Sequence, residues 1–171
     1  RGQAMNKLMD DRFTGLKHFW SAIAVYRPKT EKKLNENIEL YKPEGNFSTE
    51  EKIEYISSLT GIYPLELVID DEKIKKFEKL KIPPLGEFDT ALKIAWFIPR
   101  EVISKKTKHG KVYWIIKVVD NNTATDIKCW GVRPQTDHIK INTPYIAKLD
   151  YSETWGFSTR SIKHNFKVLN N

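Results

Sequence analysis

The chain has 171 residues, 40% hydrophobic and 30% charged with eight Gly and eight Pro, which excludes a disordered tail and a fibrous repeat. Its formal charge of +7 sits in residues 91–171, with 14 basic against 6 acidic side chains, whereas residues 1–90 nearly balance at 15 and 16. That asymmetry points to a polyanionic partner, nucleic acid first. No apolar run approaches the roughly 20 residues of a membrane span, and no membrane partner is expected. The lone cysteine, Cys129, excludes an internal disulfide and argues against a cysteine-built zinc site; it suits a reducing cytoplasm. Arg1-Gly2-Gln3 carries neither an initiator Met nor a signal-peptide pattern, so a piece of a longer protein is expected.

The first half reads helical. Phe13, Leu16, Phe19, Trp20 and Ile23 form one apolar stripe on a helix that ends before Pro28. Thr30 caps a second helix with Leu34, Ile38 and Tyr41 on one face and Pro43 as its stop. Ser48 and Glu51 make a capping box for a third, whose expected inward face is Ile53, Ile56 and Leu59, with Gly61 as a left-handed cap. Asp70 or Asp71 starts a fourth, with Ile74, Phe77 and Leu80 inward, before Pro83-Pro84. Leu59-Thr60-Gly61-Ile62 has the look of a helix-hairpin-helix turn, which would offer backbone amides to a phosphate. An ordinary helix corner is the reading favoured here, since Pro64 removes one donor, and the phosphate-binding hairpin is the alternative.

From Ala95 the period changes to two. Trp96-Phe97-Ile98 and Val102-Ile103 form a first strand with Pro99 at a bend, and Val112–Val119 a second. Asp126–Trp130 is a third, Tyr145–Leu149 a fourth, and a fifth lies around Phe166–Leu169 or slightly earlier. Five short strands with a longer connection after the third is the order of an OB-fold barrel. The fold class expected is therefore α+β: helical residues 1–90, then a five-stranded OB-fold over 93–171.

Alternation sorts the faces. Val112, Trp114, Ile116 and Val118 face a core, as do Ile127 and Cys129. The opposite set is Tyr113, Ile115, Lys117 and Val119 with Lys128 and Trp130, which mixes rings for base stacking with ammonium groups for phosphates. The competing possibility is that Tyr113 and Trp130 pack beneath the helices. Lys105, Lys106, Lys108 and Lys111 crowd the turn between the first two strands, as a cationic lip or as a solvated edge. Arg160 and Lys163 could reach phosphates, and Trp155 or Phe157 could stack. The candidate binding residues are thus Lys105, Lys106, Lys108, Lys111, Tyr113, Lys117, Lys128, Trp130, Arg160 and Lys163. No Walker loop, nucleophile elbow or HExxH is present, and His18, His109, His138 and His164 lack metal-ligand spacing. No catalytic residue is assigned.

The run Lys105-Lys106-Thr107-Lys108-His109-Gly110-Lys111-Val112-Tyr113, continuing through Val119-Asp120 to Ile127-Lys128-Cys129-Trp130, resembles the OB nucleic-acid-binding domain family. It is most similar to the domain near the C-terminal end of the bacterial and phage DNA polymerase III alpha subunit, the family C replicative polymerases. The resemblance covers residues 93–169, and the helical half would correspond to the helix-hairpin-helix region that precedes that domain. It implies single-stranded template DNA as ligand, other replisome proteins as possible partners, and a bacterial or phage-infected cytoplasm. The family's Asp-x-Asp palm pair and its Gln-led clamp motif have no counterpart here, so Mg2+ is expected only in the parent's palm and this piece needs no cofactor. A replisome docking module and an RNA-binding anticodon-type domain of an aminoacyl-tRNA synthetase are the alternatives.

Overall fold

A computed structural model describes residue 9, residues 11–42 and residues 45–168. The architecture is mixed α+β, and the chain separates into two compact units, one ending at Ile62 and the other beginning at Tyr63.

In the first unit α1 (Leu16–Phe19) runs into a π-helical stretch (Trp20–Val25), followed by α2 (Glu31–Leu40) and α3 (Thr49–Thr60). Phe13, Phe19, Ala22 and Ile38 form the core, with Trp20, Ile23 and Leu34 packed against it. The imidazole of His18 is fully buried among them, where Nδ1 accepts from the Thr14 amide at 3.0 Å and Nε2 donates to the Ile38 carbonyl at 2.7 Å. Local signals hold well. Thr30 Oγ1 accepts from the Lys33 amide at 3.2 Å, and Ser48 and Glu51 exchange both bonds of the capping box. Gly61 caps α3 at φ +71°.

Two expected faces are incomplete: Leu80, expected inward on the fourth helix, is 54% exposed, and the face of α3 fails at Leu59. Ile53 is buried and Ile56 half-buried, but Leu59 is 84% exposed. Successive three-residue steps drift around the helix, and two of them carry Leu59 about 120° from Ile53. Pro43, the expected stop of α2, lies outside the described residues.

The second unit begins earlier than the expected boundary between 90 and 93. It includes a 3₁₀ turn (Leu65–Leu67), α4 (Asp71–Lys79) and a second 3₁₀ turn (Leu85–Glu87). Asp70 caps α4, its Oδ1 accepting from the Lys73 amide at 2.8 Å. The reason for the shift is packing: the Phe77 ring stacks on Trp96 at 5.1 Å, and both join Ile69, Ile98 and Val119 in one buried cluster. The fourth helix is an outer layer on the sheet.

Among the described residues the sheet has seven strands, not five. They are β1 (Ile94–Lys106), β2 (Val112–Val119), β3 (Ala124–Trp130), β4 (Tyr145–Lys148), β5 (Asp150–Ser152), β6 (Gly156–Thr159) and β7 (Phe166–Val168), with the short α5 (Ile162–Asn165) before β7. Their order is β5-β6-β3-β2-β1-β4-β7. All pairings are antiparallel except β3 with β6. The count rises for two reasons. The expected fourth strand breaks at Leu149, whose side chain is buried and whose amide donates to the Lys93 carbonyl at 2.9 Å. The expected fifth strand near Phe166 is an added edge on β4, while Gly156–Thr159 takes the place beside β3. Leu169 lies outside the described residues. Because β4 and β5 lie toward opposite flanks of the sheet yet are separated only by Leu149, the sheet must curl back on itself.

Inside the curl lie Phe97, Trp114, Ile116, Val118, Ile127 and Cys129, in one buried cluster with Leu149 and Phe166. This is the inward set that the alternation of β2 and β3 predicts. Val119, expected on the outer face, is buried there beneath α4.

Candidate nucleic-acid interface

Three cross-strand rows cover the outer face of β1, β2 and β3. In register they are Lys105–Tyr113–Trp130, Ile103–Ile115–Lys128 and Glu101–Lys117–Asp126. Residues on either side of these along β2 point into the core, so pleating puts all three rows on the side away from it.

The first row carries the rings. Tyr113 and Trp130 are directly opposed and stacked, with centroids 4.7 Å apart and planes 26° from parallel. Both are half-buried, neither sealed inside nor split over opposite walls. Lys105 flanks Tyr113 from β1. Lys106 pairs with Val112 instead, which puts it on the core-facing side of β1 at the exposed end of the strand. Lys108 and Lys111 stand in the connecting turn, where Gly110 takes φ +75° and Thr107 Oγ1 accepts from the Lys111 amide at 3.2 Å. All four lysines are exposed, and none has an ion pair among the described residues.

The other two rows are electrostatically different. Lys117 Nζ lies 2.8 Å from Glu101 Oε2, and that hydrogen bond and charge hold its ammonium pKa above the usual lysine value. Asp126 stands opposite on β3. Beyond this row a cleft of about 390 Å³ opens between Arg100, Lys117, Val119 and Asp126. Arg100 lies 4.6 Å over the Tyr63 ring, whose hydroxyl donates to Asn142 Oδ1 at 2.8 Å. Burial pushes the Tyr63 phenol up to about 12. The cationic surplus of the face therefore lies at the Lys105 end, and its carboxylates at the other.

Lys128 is held rather than free: Nζ donates to the Trp155 carbonyl at 2.9 Å and sits 5.4 Å from the centroid of that indole. Sequence alone leaves Trp155 and Phe157 equivalent, and the structure separates them. Trp155 is 64% exposed in the turn between β5 and β6, its amide donating to Ser152 Oγ at 3.1 Å. Phe157 packs on the core, edge-on to Phe88 at 5.2 Å.

Arg160 is exposed just after β6, and its carbonyl approaches Gly131 at the end of β3. Lys163 is exposed on α5, which leads into β7, and no contact joins it to the three rows among the described residues. Of the ten candidates, Lys105, Tyr113, Lys117, Lys128 and Trp130 share one face. Cys129, between Lys128 and Trp130, faces inward, and burial pushes its thiol up to about 12.

Among the described residues no group of three or more His, Cys, Asp or Glu side chains is placed to hold a metal ion. No helix among them is long and apolar enough to cross a membrane. No protein-family model matches the sequence, and no curated protein matches it.

Proposed function

We propose that the strands β1–β7, within the expected OB-fold segment, form an OB-type barrel that holds single-stranded DNA across the outer face of β1, β2 and β3. In this reading the chain is a non-catalytic part of a replicative polymerase of the DNA polymerase III alpha type, and it keeps template close to the primer end. The strand pairing supports the barrel. Taken as one bent strand broken at Leu149, β4 and β5 join β1 on one side and β6 on the other, and β6 runs parallel to β3. With the edge strand β7 set aside, five strands remain in the connectivity of an OB barrel.

The observation that carries the ligand is the stacked, half-exposed pair Tyr113–Trp130, bordered by Lys105 and the lysine-rich turn. Aromatic faces accept any base, and unpaired ammonium groups track the phosphates. Trp155, held out by Lys128, adds a third ring. The replicative setting rests on the resemblance of the Lys105–Trp130 run and of nothing else. Mg2+ would belong to the parent's palm.

The test is a titration of a fluorescent oligo-dT at two salt concentrations. DNA binding gives a steep loss of affinity with salt and at least a tenfold loss in Tyr113→Ala or Trp130→Ala. Absence of oligonucleotide binding would favour a replisome docking module. Tighter binding of a tRNA-like loop than of oligo-dT would favour the anticodon-type domain.

A further inference from the structure

A groove of about 520 Å³ lies where α4 and the Pro83-Pro84 segment meet the start of β1. We propose that it docks a peptide segment of a partner protein in which apolar side chains alternate with Lys or Arg. This does not rest on the DNA-binding reading, because none of the residues lining the groove belongs to the three outer rows.

The floor is apolar and fixed. Ile82 and Pro83 are half-buried beside Trp96, whose ring is stacked on Phe77 and whose amide donates to the Pro83 carbonyl at 2.9 Å. Leu92 stands at the lip, 55% exposed. The rim is acidic: Glu78, Glu87 and Asp89 are exposed, none is ion-paired among the described residues, and Lys81 is the one cation among the lining residues. A negative rim on a unit whose residues 91–171 carry a surplus of eight positive charges selects against the polyanion that the basic face attracts. Small cations alone would leave Leu92 and the apolar floor in water. A short cationic, apolar segment satisfies both requirements.

The experiment uses the full chain and two fluorescein-labelled octapeptides, one alternating Leu with Lys and the other Leu with Glu, followed by anisotropy at physiological salt. The Leu/Lys peptide should bind saturably, and the Leu/Glu peptide at least tenfold more weakly. The combined Glu78→Lys, Glu87→Lys and Asp89→Lys variant should lose at least tenfold for the Leu/Lys peptide, and Leu92→Asp should lose as much, with circular dichroism unchanged. Oligo-dT affinity of Leu92→Asp should match that of the parent chain. The proposal is overturned if no saturable peptide binding occurs, if either variant binds the Leu/Lys peptide as well as the parent, or if the parent chain dimerises through Leu92 and so fills the groove with a second copy.

Discussion

Lys128 spans from β3 to Trp155, donating to its carbonyl at 2.9 Å while lying over its indole. One side chain thus ties a ring from the β5–β6 turn to the middle row of the outer face. Cation–π contact and a charged hydrogen bond act on the same pair, so the turn is positioned before any ligand arrives.

The first prediction follows from that coupling. Trp155→Ala should weaken oligo-dT binding by about 1–3 kcal/mol, the range for a lost stacking contact. Lys128→Ala should cost less in the Trp155→Ala background than in the parent chain, because part of what Lys128 does is to hold the ring. A double-mutant cycle of oligonucleotide titrations measures this; additive losses would separate the two residues.

A second prediction concerns the two kinds of lysine on the face. The ammonium of Lys117 is committed to Glu101, whereas that of Lys105 has no carboxylate partner among the described residues. Lys105→Ala should lower the salt slope of oligo-dT binding by about 0.7, one phosphate contact on a single strand. Lys117→Ala should leave the slope almost unchanged, and Glu101→Gln should steepen it by releasing the lysine. Affinity measured over a salt series decides the matter.

The alkaline limb of stability should be steep. Cys129 and Tyr63 are both raised to about 12, from ordinary values of 9.0 and 10.0. A raised acid binds its proton more tightly when folded, so its stabilisation is complete below the unfolded pKa and is lost as pH climbs through the folded one. Urea unfolding should therefore show stability falling between about pH 9 and 12, Cys129 contributing roughly 1.4 kcal/mol per pH unit at most. Cys129→Ala combined with Tyr63→Phe should flatten that limb while costing stability at pH 7.

Gly86 makes a prediction about stability alone. A Cβ there would collide with Thr123 Oγ1 and meet Thr123 Cβ at 3.1 Å. The crowding exists because Asp120 Oδ2 draws in the Gly86 amide at 2.6 Å while Oδ1 accepts from the amides of Asn122 and Thr123 at 2.8 and 2.6 Å. Gly86→Ala should cost about 1–3 kcal/mol, and Thr123→Ala should recover part of that loss. Asp120→Ala strands three donors and should cost about 3 kcal/mol. Denaturant titration reads all three.

Features set by neighbours in the chain are legible in the sequence. Ser48 and Glu51 form one turn of helix, and Val112, Trp114, Ile116 and Val118 need only the pleat of β2 to face inward. Features set by distant pairing are not. Whether Lys105 or Lys106 shares the face of Tyr113 depends on an irregularity between Pro99 and Glu101: before it Ile98 packs outward beneath α4, after it Val102 packs inward. One extra residue reverses the parity of everything that follows. The parallel pairing of Ile127 with Phe157 joins segments thirty positions apart and leaves no local mark. Leu59 shows the opposite failure, an apolar spacing that sequence treats as a stripe and helix geometry rotates away from Ile53.

The two strands that terminate the sheet, β5 and β7, are three residues each, and both carry charge, Asp150 in one and Lys167 in the other. Unpaired backbone along such short, charged borders offers little template for another chain to extend. Concentrated solutions of the protein should for that reason resist ordered fibre growth, and a lengthened, uncharged border strand would be the place where that resistance first fails.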